Sequence, residues 1–459
     1  MAFSTDKQTL EDLKIFDRYG DDSIFQLFNR CATRGGAMVL EDMFSHPLSD
    51  AAAINKRSGI IRYFSEQRIE FPLTSGHFEA IDPYLSNTDE RTRLSAHEQS
   101  VTRKLSNMIA ADAETATIHK GIAATAAMLK ELSGFIASSQ MMNAELYCSD
   151  KESIQALLNM PALKQVWELQ GKVKLTQAVM AEYDGVFRFK FRDEIQKLLR
   201  HIYLLDVYLS VARVARENGY VFPVALPAGN SELQLEGVYH PAIKNAIPND
   251  IHITKENNVI FLTGANMAGK STFMKSLSIA IFLAHMGFPV AAGSMRFHVL
   301  DGIYTTINLP DNLGMGASHF YAEVLRLKKV AHELGQGKRI YVVFDELFRG
   351  TNVKDAYDAT IAVTTAFAER KDSIFVISTH IIEAGDVLKE RCNNIAYLYL
   401  PTRMNGTRPV YTYTLEQGIT NDRHGMVIIN NEKILEILEA GLEKLEGKKT
   451  IHSLTALKT

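Results

Sequence analysis

Apolar residues recur three and four positions apart through the first half of the chain, a spacing that predicts helices. Leu105, Met108 and Ile109 form one such set. Ile122, Met128, Leu129 and Leu132 form a second, and Ile195, Leu198, Leu199, Ile202 and Leu205 a third. Residues 92–142 contain no proline and two glycines, which is compatible with one long helix or with a broken pair. Near residue 230 the pattern changes. A loop-like stretch, PAGNSELQ, is followed by short runs rich in β-branched residues at 259–263, 303–307, 340–344, 374–378 and 395–400. Helical spacing lies between several of these runs, and the alternation predicts a parallel or mixed sheet with helices on its faces. The chain therefore reads as multidomain: an all-α N-terminal domain over 1–230, an α/β domain over 231–445, and a tail, 446–459, without strong periodicity.

The run at 259–263 leads directly into Gly264-Ala-Asn-Met-Ala-Gly269-Lys270-Ser271, a complete GxxxxGK[ST] between an expected strand and an expected helix. Glycines let backbone N–H groups turn inward around a polyphosphate, and the following helix adds its N-terminal partial positive charge. Lys270 then reaches the β and γ phosphates. Ser271 offers a hydroxyl to Mg²⁺, an ion that keeps most of its waters and takes few protein ligands. Gly264, Gly269, Lys270, Ser271 and Thr272 are the expected nucleotide-binding residues, with ATP and Mg²⁺ as the expected ligands. The α/β half thus reads as a P-loop NTPase.

A P-loop requires a carboxylate for the metal and a group that orients the attacking water. The run at 340–344 ends in Asp345-Glu346, and a buried parallel strand would deliver both to the crevice at the sheet's carboxyl edge. Asp345 is the candidate metal ligand, Glu346 the candidate general base or water-orienting group. The run at 374–378 ends in Thr379-His380, which places a histidine at the same edge as a second catalytic candidate. An acidic pair closing a strand, or a histidine capping one, is otherwise an ordinary solvated terminus.

These segments resemble the MutS family of DNA mismatch repair ATPases. TGANMAGKST is similar to that family's TGPNMGGKST, DELFRGTN to its DEIGRGTS, and STH to its ATH. DNLGMGASHFYAEV looks like its signature segment. LDVYLSVARVARENGYVFP and GVYHPAI resemble the approach to its ATPase domain, and residues 27–64 resemble the start of its core, or lever, domain. The resemblance implies an ABC-like ATPase fold, with Asn266 and Lys270 on phosphates. It also implies that Ser318 closes over the nucleotide of a partner subunit, so that two composite sites form only in a homodimer. A loop with Gly314, Gly316 and Ser318 is in any case a plausible anion nest, and Ser318 is equally a plausible helix N-cap.

The sequence also departs from that family. Ala265 replaces a proline, Ala268 a glycine, and His319 a threonine. No adenine-stacking aromatic is evident between His240 and Val259. The chain begins at the lever, with no mismatch-reading Phe-x-Glu and no recognisable clamp. Residues 433–446, KILEILEAGLEKLE, predict a single amphipathic helix. The basic and aromatic run FRFKFRDEIQK offers Arg188, Lys190 and Arg192 to phosphates, although a half-buried segment with a solvated basic face explains it more simply.

Composition changes the picture little. The 459 residues are 46% hydrophobic and 22% charged, with a net charge of −3, which is not the footprint of a strongly basic nucleic-acid binder. The longest apolar run, 278–293, is broken by His285 and Pro289, short of the ~20 residues that a span needs. Cys31, Cys148 and Cys392 lack zinc spacing. The expectation is a cytoplasmic ATPase that couples nucleotide state to dimer geometry on duplex or branched DNA, with repair or recombination proteins as partners. The alternative is a nucleotide-driven switch that acts on a protein partner without DNA. A transporter ATPase would need an LSGGQ-like signature, which is absent.

Overall fold

The structure, a computed structural model, describes residues 3–16, 23–95, 108–171, 175–308, 319–406, 408–420, 431 and 433–438. Leu105, Ser318 and the 446–459 tail lie outside the described residues.

The helical half follows the expected spacing. Ile122, Met128, Leu129 and Leu132 are buried along helix Met108–Ile136, and Ile195, Leu198, Leu199, Ile202 and Leu205 along helix Arg192–Asn218. Helix Arg34–Ser45 is capped by Thr33, whose hydroxyl accepts from the Gly36 N–H at 2.9 Å. It packs closely on helix Arg192–Asn218: a Cβ on Gly36 would sit 2.3 Å from an Asp206 carboxylate oxygen. Asp206, 1% exposed, accepts from the Ala32 and Thr33 N–H groups and the Thr33 hydroxyl at 2.7–2.9 Å. Burial raises its pKa against those donors.

FRFKFRD is half-buried, with Lys190 exposed and Arg192 half-buried, but Arg188 does not belong to a solvated basic face. Residues Gly185–Lys190 form a π-helical turn, and Arg188 is 2% exposed, paired with the fully buried Asp184 at 2.5 and 2.6 Å. Arg188 also donates to the Thr92 hydroxyl and carbonyl, while Tyr84 donates to Asp184. Arg192 donates to the Leu85 carbonyl at 3.2 Å.

Among the described residues the strands are β1 Val224–Leu226, β2 Leu233–Val238, β3 Asn249–Ile253, β4 Val259–Gly264, β5 Ser294–His298 and β6 Gly302–Thr306. They continue with β7 Ile340–Asp345, β8 Ile374–Ser378, β9 Ile395–Leu400, β10 Thr402–Asn405, β11 Arg408–Tyr411 and β12 Glu416–Gln417. The five runs read from the sequence are β4, β6, β7, β8 and β9. They form the parallel body of a six-stranded sheet, β12-β9-β4-β8-β7-β6. A smaller sheet, β1-β5-β2-β3, was not legible: β2 begins inside PAGNSELQ, and its pairing with β3 is interrupted by a bulge.

Helix Lys270–His285 covers one face of the large sheet, and its interior is buried along nearly its whole length. Helices His319–Gly335 and Val353–Ala368 pack against the sheet too, and Phe367 stacks on Phe375 of β8 at 4.3 Å. The two halves share a core. Phe28 and Phe44 from the helical half meet Phe288 at 5.7 and 5.9 Å, and Arg57 donates to the Met286 carbonyl. No described helix is long and apolar enough to cross a membrane.

Candidate functional site

Register brings three chain segments to one edge. In the pairings of β8 with β4 and with β7, Ser378 lies opposite Leu262 and opposite Asp345. The loop after β4, the end of β7 and the end of β8 therefore emerge side by side, although more than 110 residues separate the first from the last along the chain.

The loop after β4 turns through left-handed backbone at Met267 (φ 69°) and Gly269 (φ 102°). Such alternation points successive N–H groups inward as an anion nest. Gly269 is the N-cap of helix Lys270–His285, so the nest and the helix's positive end coincide. Lys270, 6% exposed, folds back over the loop and donates to the Gly264 and Ala265 carbonyls at 2.8 and 3.3 Å. Burial pulls its pKa down, while the Asp345 and Glu346 carboxylates oppose the shift. Asn266 is exposed at the loop's crest. Thr272, also exposed, lines a cavity of about 350 Å³ with Lys14, His240 and Lys275.

Ser271 donates to Asp345 at 2.6 Å. Among the described residues no group of three or more His, Cys, Asp or Glu side chains is placed to hold a metal ion. Adjacent corners of a six-coordinate hard cation with ligand distances of about 2.1 Å lie about 3.0 Å apart, so the hydroxyl and the carboxylate would have to give up this hydrogen bond and part by about 0.4 Å to share such an ion with water ligands.

Glu346 follows in left-handed backbone (φ 54°), as does Phe348 (φ 64°). A non-glycine residue in that region costs roughly 1–3 kcal/mol and persists only where surrounding structure holds it. Here both oxygens of Glu346 are held: His380 Nε2 lies 3.0 Å from one and Arg349 lies 3.2 Å from the other. The His380 contact, then the Arg349 and Lys270 charges, lower the Glu346 pKa against a partial burial that would raise it. The carboxylate is therefore ionised at neutral pH, and the same contacts make it a weaker base than a free glutamate.

The expected P-loop, carboxylate and histidine residues thus converge; Ser318, with Gly314 and Gly316, lies outside the described residues. Two neighbours escaped the sequence reading. Arg349 sits inside the quoted DELFRGTN, three residues after Glu346, a spacing at which opposite charges meet in a turn. Tyr413, 45% exposed and in left-handed backbone (φ 58°), lays its ring against the loop: a Cβ on Gly269 would lie 2.9 Å from Tyr413 Cδ1. No local pattern marks Tyr413, because its significance depends on a residue 144 positions away.

Two family descriptions match the chain: MutS domain V over residues 260–446 and MutS domain III over residues 8–212. Similar curated proteins include a DNA mismatch repair protein MutS of Fusobacterium nucleatum, 26% identical over 68% of this chain and 36% of that protein. One of Clostridioides difficile is 29% identical over 56% of this chain and 27% of its own length. One of Methanosarcina barkeri is 25% identical over 70% of this chain and 36% of its own. The chain therefore spans about a third of the length of the relatives it matches.

Proposed function

The chain belongs to the MutS family, and from that premise we propose that it is a Mg²⁺-dependent P-loop ATPase whose nucleotide state sets the geometry of a dimer acting on DNA. The observation that carries the reading is the meeting of Lys270, the Ser271–Asp345 pair and the Glu346–His380 pair at the carboxyl ends of three neighbouring strands.

In this reading Lys270 leaves the Gly264 and Ala265 carbonyls for the β and γ phosphates, and the N–H groups of 264–272 cradle the same oxygens. Ser271 and Asp345 hold Mg²⁺, which neutralises charge on the phosphate oxygens when bound. Glu346 takes the proton of the attacking water. His380 steadies that carboxylate and sits where it can report loss of the γ-phosphate to the end of β8. Tyr413 offers an aromatic face to the base. Ser318 of one subunit completes the site of the other, so ATP binding and subunit geometry are one coupled equilibrium.

The relatives' names point to DNA mismatch repair, and a DNA role in repair or recombination follows for this chain as a proposal. One observation favours the second reading, a switch on a protein partner. Arg188, the best basic candidate in the helical half, is consumed by Asp184 and Thr92. The discriminating experiment is steady-state ATPase activity at two salt concentrations, without DNA and with plain duplex, mismatched duplex and a four-way junction. A salt-sensitive preference among these supports the DNA reading. A rate indifferent to all of them removes it and favours the protein partner. Lys270→Ala should abolish nucleotide binding in either case.

A further inference from the structure

Strand alternation sends successive side chains of the large sheet to opposite faces. On β7, Tyr341 and Val343 pack into the core that contains helix Lys270–His285, while Val342 and Phe344 pack into the core on the other face. On β8, Ile374 and Val376 belong to the first core, Phe375 and Ile377 to the second. Asp345 and Ser378, one step further along their strands, therefore both project to the side of helix Lys270–His285. Register sets Ser378 opposite Asp345 of β7 and opposite Leu262 of β4, and Leu262 also belongs to the first core. Ser271, in the first turn of that helix, reaches the same Asp345 at 2.6 Å.

Ser378 is fully buried, yet its hydroxyl has no hydrogen-bond partner among the described residues. The groups beside it are matched. The Thr379 N–H donates to the Leu262 carbonyl at 3.3 Å, and the Thr379 hydroxyl accepts the Ile381 N–H at 3.0 Å. A buried hydroxyl left unmatched is costly, and alanine would fill the same place without that cost. The resembling segment ATH has alanine here, so the hydroxyl is a feature of this chain. Neighbouring strands lie about 4.8 Å apart, a spacing that a serine hydroxyl and an aspartate carboxylate on one face can bridge by side-chain rotation.

A cation shared by Ser271 and Asp345 requires them to give up their mutual hydrogen bond, which leaves the carboxylate short of a donor. The unspent donor on the same face is Ser378. We propose that Ser378 is a positioning residue for the metal site: its hydroxyl donates to the Asp345 carboxylate when Ser271 turns its oxygen to Mg²⁺. The metal-free chain then carries an unmatched hydroxyl that loading matches, and this difference adds to metal affinity without adding a ligand. The proposal rests on the reading of Ser271 and Asp345 as the Mg²⁺ ligands.

The experiment uses the full chain with Ser378→Ala, Ser378→Cys and Asp345→Asn. It measures Mn²⁺ affinity in the presence of ADP by electron paramagnetic resonance, ADP affinity in EDTA, and the thermal unfolding midpoint without metal or nucleotide. Ser378→Ala should weaken Mn²⁺ binding about tenfold, the scale of one hydrogen bond to a charged group, with ADP affinity in EDTA within about twofold. Its metal-free midpoint should match the wild type or rise by about 2 °C, because the unmatched hydroxyl is gone. Ser378→Cys keeps the volume but offers only a weak donor, so its Mn²⁺ affinity should fall with that of Ser378→Ala. Unchanged Mn²⁺ affinity in Ser378→Ala, or wild-type affinity in Ser378→Cys, overturns the proposal. So does ADP affinity in EDTA that falls in step with metal affinity. A metal-free midpoint lowered by more than about 3 °C overturns it too, since the hydroxyl then stabilises the chain without the metal. If Asp345→Asn loses Mn²⁺ and Ser378→Ala does not, the ligand reading stands and only this inference fails. If Asp345→Asn binds Mn²⁺ as the wild type does, the reading of Asp345 as a ligand fails, and the inference with it.

Discussion

Glu346→Gln isolates the chemical step. The carboxylate has a donor on each oxygen, His380 at 3.0 Å and Arg349 at 3.2 Å, and sits 26% exposed at the end of β7. The amide keeps the shape, and its NH₂ meets a mismatch only where it faces Arg349, since the other tautomer of His380 can accept from it. That mismatch costs on the order of 1–3 kcal/mol locally, softened by partial exposure. The larger loss is of the base itself. Removing a general base costs about 10²- to 10⁴-fold in rate, or roughly 3–5 kcal/mol of barrier at about 1.4 kcal/mol per tenfold. Lys270 and the 264–272 backbone are untouched, so nucleotide affinity should hold within about threefold while the hydrolytic step collapses. Single-turnover hydrolysis of labelled ATP, alongside equilibrium binding, separates the two. A variant that retains more than a tenth of the wild-type rate, or one whose rate and affinity fall together, refutes the assignment of Glu346 as base.

Three further outcomes are expected. Tyr413→Ala should weaken nucleotide binding by the roughly 1–3 kcal/mol of a stacked base, read by titration against ATP and against inorganic triphosphate; equal weakening of both would place Tyr413 on the phosphates instead. The fully buried His285 donates from Nδ1 to the Ile281 carbonyl and accepts the Leu300 N–H at Nε2, and burial pushes its pKa down to about 4 from 6.5. Its folded pKa lies below the unfolded one, so the stability it contributes is present above pH 6.5 and lost as pH falls towards 4. Denaturant unfolding should show about 2 kcal/mol lost by pH 5, and a flat profile between pH 7 and 5 would sink this account. Arg188→Met leaves Asp184 buried and uncompensated and should cost about 3–5 kcal/mol in thermal or chemical unfolding, whereas near-neutral behaviour would mean that water reaches the site.

The sequence by itself determined the parts whose chemistry is local. A P-loop is eight consecutive residues, and each apolar run followed by Asp345-Glu346 or Thr379-His380 is a buried strand with its polar end attached. The five parallel strands and the edge at which Asp345, Glu346 and His380 emerge were therefore legible, as were the buried stripes at Ile122–Leu132 and Ile195–Leu205. Tertiary structure alone decided what depends on distant partners. Whether Arg188 meets solvent or a counter-charge turned on Asp184, Tyr84 and Thr92, and the run of alternating basic and aromatic residues is compatible with either. The small sheet escaped notice because its strands are short and its β2–β3 pairing is broken by a bulge. The contact of Tyr413 with Gly269, and the hold of residues 4–12 on β6 nearly three hundred positions later, join segments whose own compositions carry no trace of each other. Hydrophobic period and motif spacing encode what a residue does within its own element; which elements meet is set only when the whole chain buries its apolar faces and matches its buried polar groups at once.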